Sequence, residues 1–452
     1  MPVSIPAPEP IERDEDLFLV FTRSEKPRDR WRVGTESEKF AVHGEDLSPL
    51  VYEGPQGIEG IFAHLTERHG WTPQAEFEGG PAISLVRGLE SITLEPGAQF
   101  ELSGAPHASI HETAAAFDAH MAELGTLPAS FDLRWLGVGF HPFAKQSDLP
   151  WVPKLRYGIM REYLPTRGSM ALDMMRRTAT VQANLDYSSE SDALRKLRVA
   201  MKITPVVTAM FANSPFAEGA RSGDVSRRSR VWLNMDPDRS GLLEFVWSEK
   251  ASYRDYVEWA LDVPMFLVKR GSRVLKNTGQ TFRSFLRDGF EGERATQGDW
   301  ETHLGTLFPE ARLKRTIELR CADSQNGALT SALPALWKGL LYDDQVLHAL
   351  EAKTASLSFA EVMRSRAEVP AGGLRGTLGG EPLQGWAEAL LDHATTALDR
   401  ADLRNGRGES ESIHLARLAS LIERGQSPGD ALLEKVANGP GFGASVLEHC
   451  AV

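Results

Sequence analysis

Between Thr178 and Asp186 polar and apolar residues alternate without a break, with Thr178, Thr180, Gln182, Asn184 and Asp186 in one set and Ala179, Val181, Ala183 and Leu185 in the other. A period of two places the sets on opposite faces of a β-strand, one wet and one dry. The dry face has to be covered by a second layer, which restricts the chain to a sheet packed against helices or against another sheet. No Lys or Arg stands among the five polar positions. That suits the lining of a cleft better than a solubilising surface, although a plain solvent-facing strand carries the same alternation.

The rest of the sequence decides which layer covers it. Alternating or β-rich stretches recur at 31–42, 82–86, 92–94, 99–102, 133–140 and 313–320, and with 178–187 they make a sheet. Arg87-Gly88-Leu89-Glu90 reads as a hairpin connection and Pro96-Gly97 as a turn, so consecutive strands are expected to pair antiparallel. Helical periodicity occupies 111–127, 190–212 with Pro205 as a kink, 253–261, 300–308, 332–341 and most of 359–433. Four prolines make residues 1–15 an extended arm, residues 16–370 mix strands and helices, and Gly372-Gly373 and Gly379-Gly380 bracket a loop into the helical part 371–452. The expectation is one α+β catalytic unit, a mainly antiparallel sheet surrounded by helices, with a helical C-terminal cap.

A length of 452 residues has room for about three domains, but neither an internal repeat nor a long polar linker divides it. The chain is 42% hydrophobic and 25% charged, the composition of a folded soluble protein. Its net charge of -12 repels nucleic-acid phosphates, and no run approaches the roughly 20 apolar residues of a membrane span. Neither nucleic acid nor membrane is expected as a partner. Cys321 and Cys450 are the only cysteines, too few for a disulfide framework, which points to a reducing cytoplasm. Cys321 is expected as a buried inert thiol and Cys450 as an exposed one on a mobile tail. The nucleotide-loop, nucleophile-elbow and dinucleotide-binding glycine signatures are absent. His111-Glu112 opens like a zinc-protease motif, but its second His is missing, so His107 and His111 receive no role.

Carboxylates carry the strongest chemical signal. Glu36 and Glu38 stand two residues apart on one strand and share a face, which is unfavourable unless that face is wet or a cation neutralises it. Glu95 precedes the Pro96-Gly97 turn, and Gln99 and Glu101 share a face beyond it. Lys314, Thr316, Glu318 and Arg320 share a face in the stretch 313–320, where a carboxylate suits a metal ion and an arginine two residues on suits a phosphate or a carboxylate. Each segment alone fits a solvated strand or an inter-strand salt bridge. These three together with the polar face of 178–186 point to a metal–phosphate cleft.

In order along the chain, Val33-Gly34-Thr35-Glu36-Ser37-Glu38-Lys39-Phe40, the run 92–104, Thr180-Val181-Gln182-Ala183-Asn184-Leu185-Asp186, the run 211–219, Ala260-Leu261-Asp262-Val263-Pro264-Met265, the run 308–323 and Leu340-Leu341-Tyr342-Asp343-Asp344 resemble glutamate–cysteine ligase of the plant and proteobacterial type. The resemblance spans 30–350, and beyond it the chain is similar only in being helical. It implies a glutamine-synthetase-like fold for 16–370, whose curved sheet holds metal ions between ATP and glutamate on its concave face. By the same resemblance Glu36, Gln182 and Glu318 surround the metal at the ATP phosphates, and Glu38, Glu95 and Glu101 hold the metal nearer the glutamate γ-carboxylate. Arg320 contacts the transferred phosphoryl group, with Glu318 as its catalytic partner. Arg228 binds the substrate glutamate, with Arg227 and Arg230 as alternatives. Asn184 is placed beside the substrate and Lys314 and Gln182 beside the nucleotide. Ser37, Ala179 and Cys321 depart from the family's usual histidine, cysteine and glycine, and none is a proposed metal ligand.

The resemblance implies ATP-dependent joining of the L-glutamate γ-carboxylate to the L-cysteine amine through a γ-glutamyl phosphate, the first step of glutathione biosynthesis. ATP and Mg²⁺ would be required, and a monomer or weak homodimer is expected in the cytoplasm. Another ligase of the same fold with a different amine acceptor, or a non-catalytic acidic metal-binding protein, stands as the alternative. Amine-dependent ADP release separates the first, and Arg228 and Arg320 argue against the second.

Overall fold

The alternating stretch lies inside an antiparallel sheet. The computed structural model describes residues 9–271 and 273–452. One open sheet contains β1 (Val33–His43), β2 (Thr72–Ala75), β3 (Ala82–Arg87), β4 (Glu90–Leu94), β5 (Phe100–Ser103), β6 (Leu133–Leu136), β7 (Val181–Leu185), β8 (Ala311–Leu313) and β9 (Ile317–Leu319). The strand order is β8-β9-β7-β1-β5-β4-β3-β2, with β6 paired to β1. All of these pairs are antiparallel. The long strand β1 is the axis: it pairs with β7 over 33–37, with β5 over 36–39 and with β6 over 40–43.

Helices cover the dry face. Val33, Val181, Ala183, Leu185, Ile317 and Leu319 share one apolar cluster with the helices Glu190–Met210 and Gly327–Tyr342. Those two helices are buried along nearly their whole length; Gly327–Tyr342 is apolar on almost every side, whereas Glu190–Met210 also buries Asp192, Lys196 and Lys202. Farther along the sheet, Leu85, Ile92, Leu94, Phe100 and Leu102 pack on Ile58, Ile61, Phe62 and Leu65 of the helix Ile58–His69. Leu383, Trp386, Leu390 and Leu391 of the helix Leu383–Ala401 join the first cluster, so the C-terminal helices share a core with the sheet.

Several boundaries differ from the sequence expectation, each for a local reason. The stretch 313–320 is no single strand. The chain reverses between β8 and β9, with the Lys314 N–H donating to Thr316 O at 2.9 Å, a turn made without Gly or Pro. The pattern gave no sign of β2, because it lies exposed at the edge of the sheet and contains Pro73, which an edge strand tolerates. In the proline-rich arm, residues 1–8 lie outside the described residues, Pro10 bridges to Thr296, and a 3₁₀ helix already begins at Asp14. Gly88 does turn the β3–β4 hairpin, at φ 58°.

The expected mobile tail is also corrected. Cys450 ends the helix Phe442–Cys450 and is fully buried. Its carbonyl accepts the Gly137 N–H at 2.8 Å, and Ala451 bridges to Leu136, which lays the chain end along β6. Cys321 is buried as expected, in a different apolar cluster from Cys450. Burial pushes both thiols up to about 12. Neither is a thiolate near neutral pH, so the native protein should resist a thiol-specific colorimetric reagent and release two thiols only when denatured. Rapid native labelling of either cysteine, or a reversible activity change under mild oxidation, contradicts this.

Candidate functional site

Residues directly opposite one another on paired strands share a face, so the register decides which polar groups meet. One row runs Arg312–Glu318–Asn184–Gly34 across β8, β9, β7 and β1. The next runs Gln182–Glu36–Ser103–Ser91, and the third Glu38–Glu101–Thr93–Ser84. The rows stack along the strands on one face. Gly34 keeps the first row open, since a Cβ there would stand 3.2 Å from that of Asn184.

The carboxylates on this face fall into two electrostatic classes. Glu318 is buried and saturated with cations: Arg312 grips it through Nε at 3.1 Å and Nη2 at 2.7 Å, Lys314 Nζ stands at 3.2 Å, and Arg320 donates as well. Burial opposes its ionisation, yet Arg312, Lys314 and Arg320 hold its carboxyl well below the usual range. Arg320 donates onward to Gln182 Oε1 at 2.8 Å, with its guanidinium 5.7 Å from the Phe308 ring and 5.9 Å from that of Trp232. Lys314, in the β8–β9 turn, has its ammonium pushed down by burial and then by Arg312.

The remaining glutamates have no such compensation. Glu36 accepts one hydrogen bond from Asn184 Nδ2 at 3.2 Å, and burial, then Glu318 and Glu101, push its carboxyl up to about 7. Glu38 accepts the Thr180 N–H at 3.0 Å, and burial, then Glu95 and Glu101, raise it well above the usual range, with Arg228 opposing. Glu101 accepts the hydroxyls of Thr93 and, at 3.2 Å, Ser103. Glu95 lies at the turn, 3.5 Å from the Tyr157 hydroxyl. Arg228, buried at the start of the helix Arg227–Trp232, donates from Nη2 to Arg320 O at 2.9 Å.

Thus Glu36, Glu38, Glu101, Gln182, Asn184, Lys314, Glu318, Arg320 and Arg228 come together, with Glu95 at the rim. Arg230 does not join them. Two residues on from Arg228 along the helix, it binds Asp224 at 2.8 Å, and Arg227 pairs with the same aspartate at 3.3 Å. Gln99 also leaves the expected face; it is buried and stitches the turn, donating to Met175 O at 3.2 Å and Thr178 O at 2.8 Å. Arg312 escaped the sequence reading because only the hairpin sets it opposite Glu318. Lys154 escaped it too: its ammonium, buried beside Tyr157, donates to Leu94 O at 2.6 Å next to Glu95, and it arrives from a segment with no periodic signal.

This donor set fits a hard divalent cation. Its ligating atoms are carboxylate and amide oxygens, and like charges accumulate on one face without basic partners. Among the described residues no three His, Cys, Asp or Glu side chains close into a ready-made cage.

Residues 32–448 match the model of glutamate–cysteine ligase family 2. The chain belongs to that family. It is 41% identical over 434 residues to the chloroplastic glutamate–cysteine ligase of Brassica juncea, covering 95% of this chain and 82% of that one. The chloroplastic enzyme of Arabidopsis thaliana is equally similar, at 41% identity over 95% of this chain and 81% of its own. A crystal structure of glutamate–cysteine ligase from Francisella tularensis in complex with AMP shares the fold, at a TM-score of 0.55 and 12% identity over 93% of this chain and 87% of that one. The family match reaches through the C-terminal helices, beyond the span the motifs reached. The expected cytoplasmic location is corrected: the plant relatives are chloroplastic, and two unpaired cysteines fit any reducing compartment.

The two carboxylate classes predict different mutant behaviour. Glu36→Gln removes a like charge, so without divalent cation the melting temperature should hold within about 2 °C or rise, while turnover at saturating Mg²⁺ should fall at least about 100-fold. Glu318→Gln strands buried Arg312 and partly buried Lys314 and Arg320 and should cost about 3 kcal/mol in denaturant unfolding as well as activity. Near-normal turnover of a folded Glu36→Gln protein would remove that residue from the site.

Proposed function

We propose that this enzyme joins the γ-carboxylate of L-glutamate to the amine of L-cysteine, using ATP, to give γ-glutamylcysteine, the first step of glutathione biosynthesis. Family membership carries the overall reaction. The residue roles rest on one observation, the contrast between cation-saturated Glu318 and the uncompensated Glu36 and Glu38.

A carboxylate does not react with an amine in water, so it must first be activated. In this reading the glutamate γ-carboxylate attacks the γ-phosphorus of ATP, ADP leaves, and the cysteine amine then displaces phosphate from the acyl phosphate. Mg²⁺, held by Glu36, Gln182 and Glu318 at the phosphates and by Glu38, Glu95 and Glu101 near the glutamate, would neutralise the negative charge that gathers between donor and acceptor. Arg320 already stands fixed between Glu318 and Gln182, so its guanidinium meets the transferred phosphoryl group without reorganising. Lys314 adds a positive charge on the nucleotide side. Asn184 holds the carboxylate of Glu36 and thereby its aim. Arg228 binds the carboxylate of the incoming glutamate. Positioning and charge suffice for both displacements, so no side-chain nucleophile is required.

A sulfoximine analogue of glutamate presents a tetrahedral sulfur in place of the attacked acyl carbon. It should become phosphorylated and inhibit tightly only when MgATP is present, as followed by mass spectrometry and progress curves. Equal inhibition without ATP rejects the acyl-phosphate route. Phosphate release screened over amino acids with ATP, Mg²⁺ and glutamate should be greatest with cysteine, and a stronger response to another amine reassigns the acceptor.

A further inference from the structure

Asp323 is enclosed behind the site, 1% exposed, and no step of the reaction above uses it. Its Oδ2 accepts the Asn213 N–H at 2.7 Å and the Ser214 hydroxyl at 2.6 Å, and its Oδ1 accepts the Ser226 hydroxyl at 2.8 Å. Both serines frame the helix that carries Arg228. Ser226 is its N-cap, with Oγ accepting the Ser229 N–H at 3.1 Å, and Ser214 Oγ accepts the N–H of Arg228 itself at 3.1 Å. Gly139 makes room for the carboxylate, since a Cβ there would stand 2.3 Å from Asp323 Cγ.

The same aspartate is tied to the other half of the site. It follows Arg320 by three residues and forms a β-bridge with Thr180, whose N–H binds Glu38 and whose hydroxyl donates to Ala322 O at 2.6 Å. One residue therefore joins, through its backbone, the donor of Glu38 and the segment leaving Arg320 and, through its carboxylate, the start of the Arg228 helix. Burial opposes the charge on Arg228, and Asp323 and then Glu38 are the first charges that support it.

We propose that Asp323 is a positioning residue that aims Arg228 at the glutamate carboxylate, through Ser214 and Ser226 and through its own charge. The inference rests on the reading of Arg228 as the glutamate-binding arginine. Without the full charge of Asp323 its hold on the Ser214 and Ser226 hydroxyls weakens, and the start of the helix that carries Arg228 loosens.

Asp323→Asn tests this with nearly the same shape, because an amide oxygen still accepts the Asn213 N–H and serine hydroxyls can reorient. The Michaelis constant for glutamate should rise at least about ten-fold, with that for ATP changing less than about two-fold, kcat within about three-fold and the melting temperature close to wild type. Ser226→Ala, which keeps the charge, should shift the glutamate constant the same way by a smaller factor. Arg228→Ala serves as the reference, and Asp323→Asn should add little to it if the two act as one unit. A lower melting temperature with both Michaelis constants and kcat moving together makes Asp323 a merely structural cap and overturns the proposal. An unchanged glutamate constant in Asp323→Asn, with a raised one in Arg228→Ala, overturns the positioning role and leaves Arg228 its own. An unchanged constant in Arg228→Ala removes the reading on which the proposal stands, and the proposal with it.

Discussion

A buried carboxylate, Glu318, sets the geometry of one whole side of the site. Out of water it requires opposite charge and hydrogen bonds, and it draws Arg312, Lys314 and Arg320 onto itself. The β8–β9 hairpin closes around that charge. Arg320 is thereby fixed toward Gln182, and its carbonyl receives Arg228 from the neighbouring helix. Loss of the one negative charge would free the hairpin cations, Arg320 among them, and loosen the segment whose carbonyl holds Arg228.

On the same face Glu36, Glu38 and Glu101 are crowded without that compensation, and the structure has to hold them together against repulsion. At an effective dielectric of about 20, two unit charges roughly 4 Å apart repel by about 4 kcal/mol. Each well-buried Val, Leu or Ile contributes about 1.5–3 kcal/mol in the opposite sense. Val33, Val181, Leu185, Ile317 and Leu319, on β1 and the neighbouring strands β7 and β9, all point into the helical layer. The dry face of the sheet thus supports the strain of the wet one, and the residual negative charge gives a cation a reason to bind.

Family and fold answer different questions here. The match over 32–448 and the identity to plant relatives fix the family. The likeness to the Francisella tularensis structure fixes only the arrangement of sheet and helices. Neither assigns the individual side chains, for which the evidence is local: register, burial and charge. That local view separates Arg228 from Arg230, since two residues along one short helix lie on opposite faces, sending the first to Arg320 and the second to Asp224.

The sequence by itself determined the parts governed by short-range rules. Period-two alternation set the faces of β1 and β7, Gly88 turned the β3–β4 hairpin, and two glutamates two residues apart declared a shared face. The dominance of helix in the last third was equally legible, because amphipathic periodicity is a local property. Tertiary structure alone decided the rest. Arg312 meets Glu318 only because the chain reverses at Lys314–Thr316, and Gln99 turns inward because the carbonyls of Met175 and Thr178 wait for it. Cys450 is buried because the chain end lies along β6. Asp323 matters only where segments from Asn213, Ser226 and Thr180 converge on it. Apart from Arg312 and Glu318, six positions apart across their turn, such contacts join residues tens to hundreds of positions apart, and no local pattern encodes them, because they are selected by the closing of the core and not by the backbone preference of any one segment.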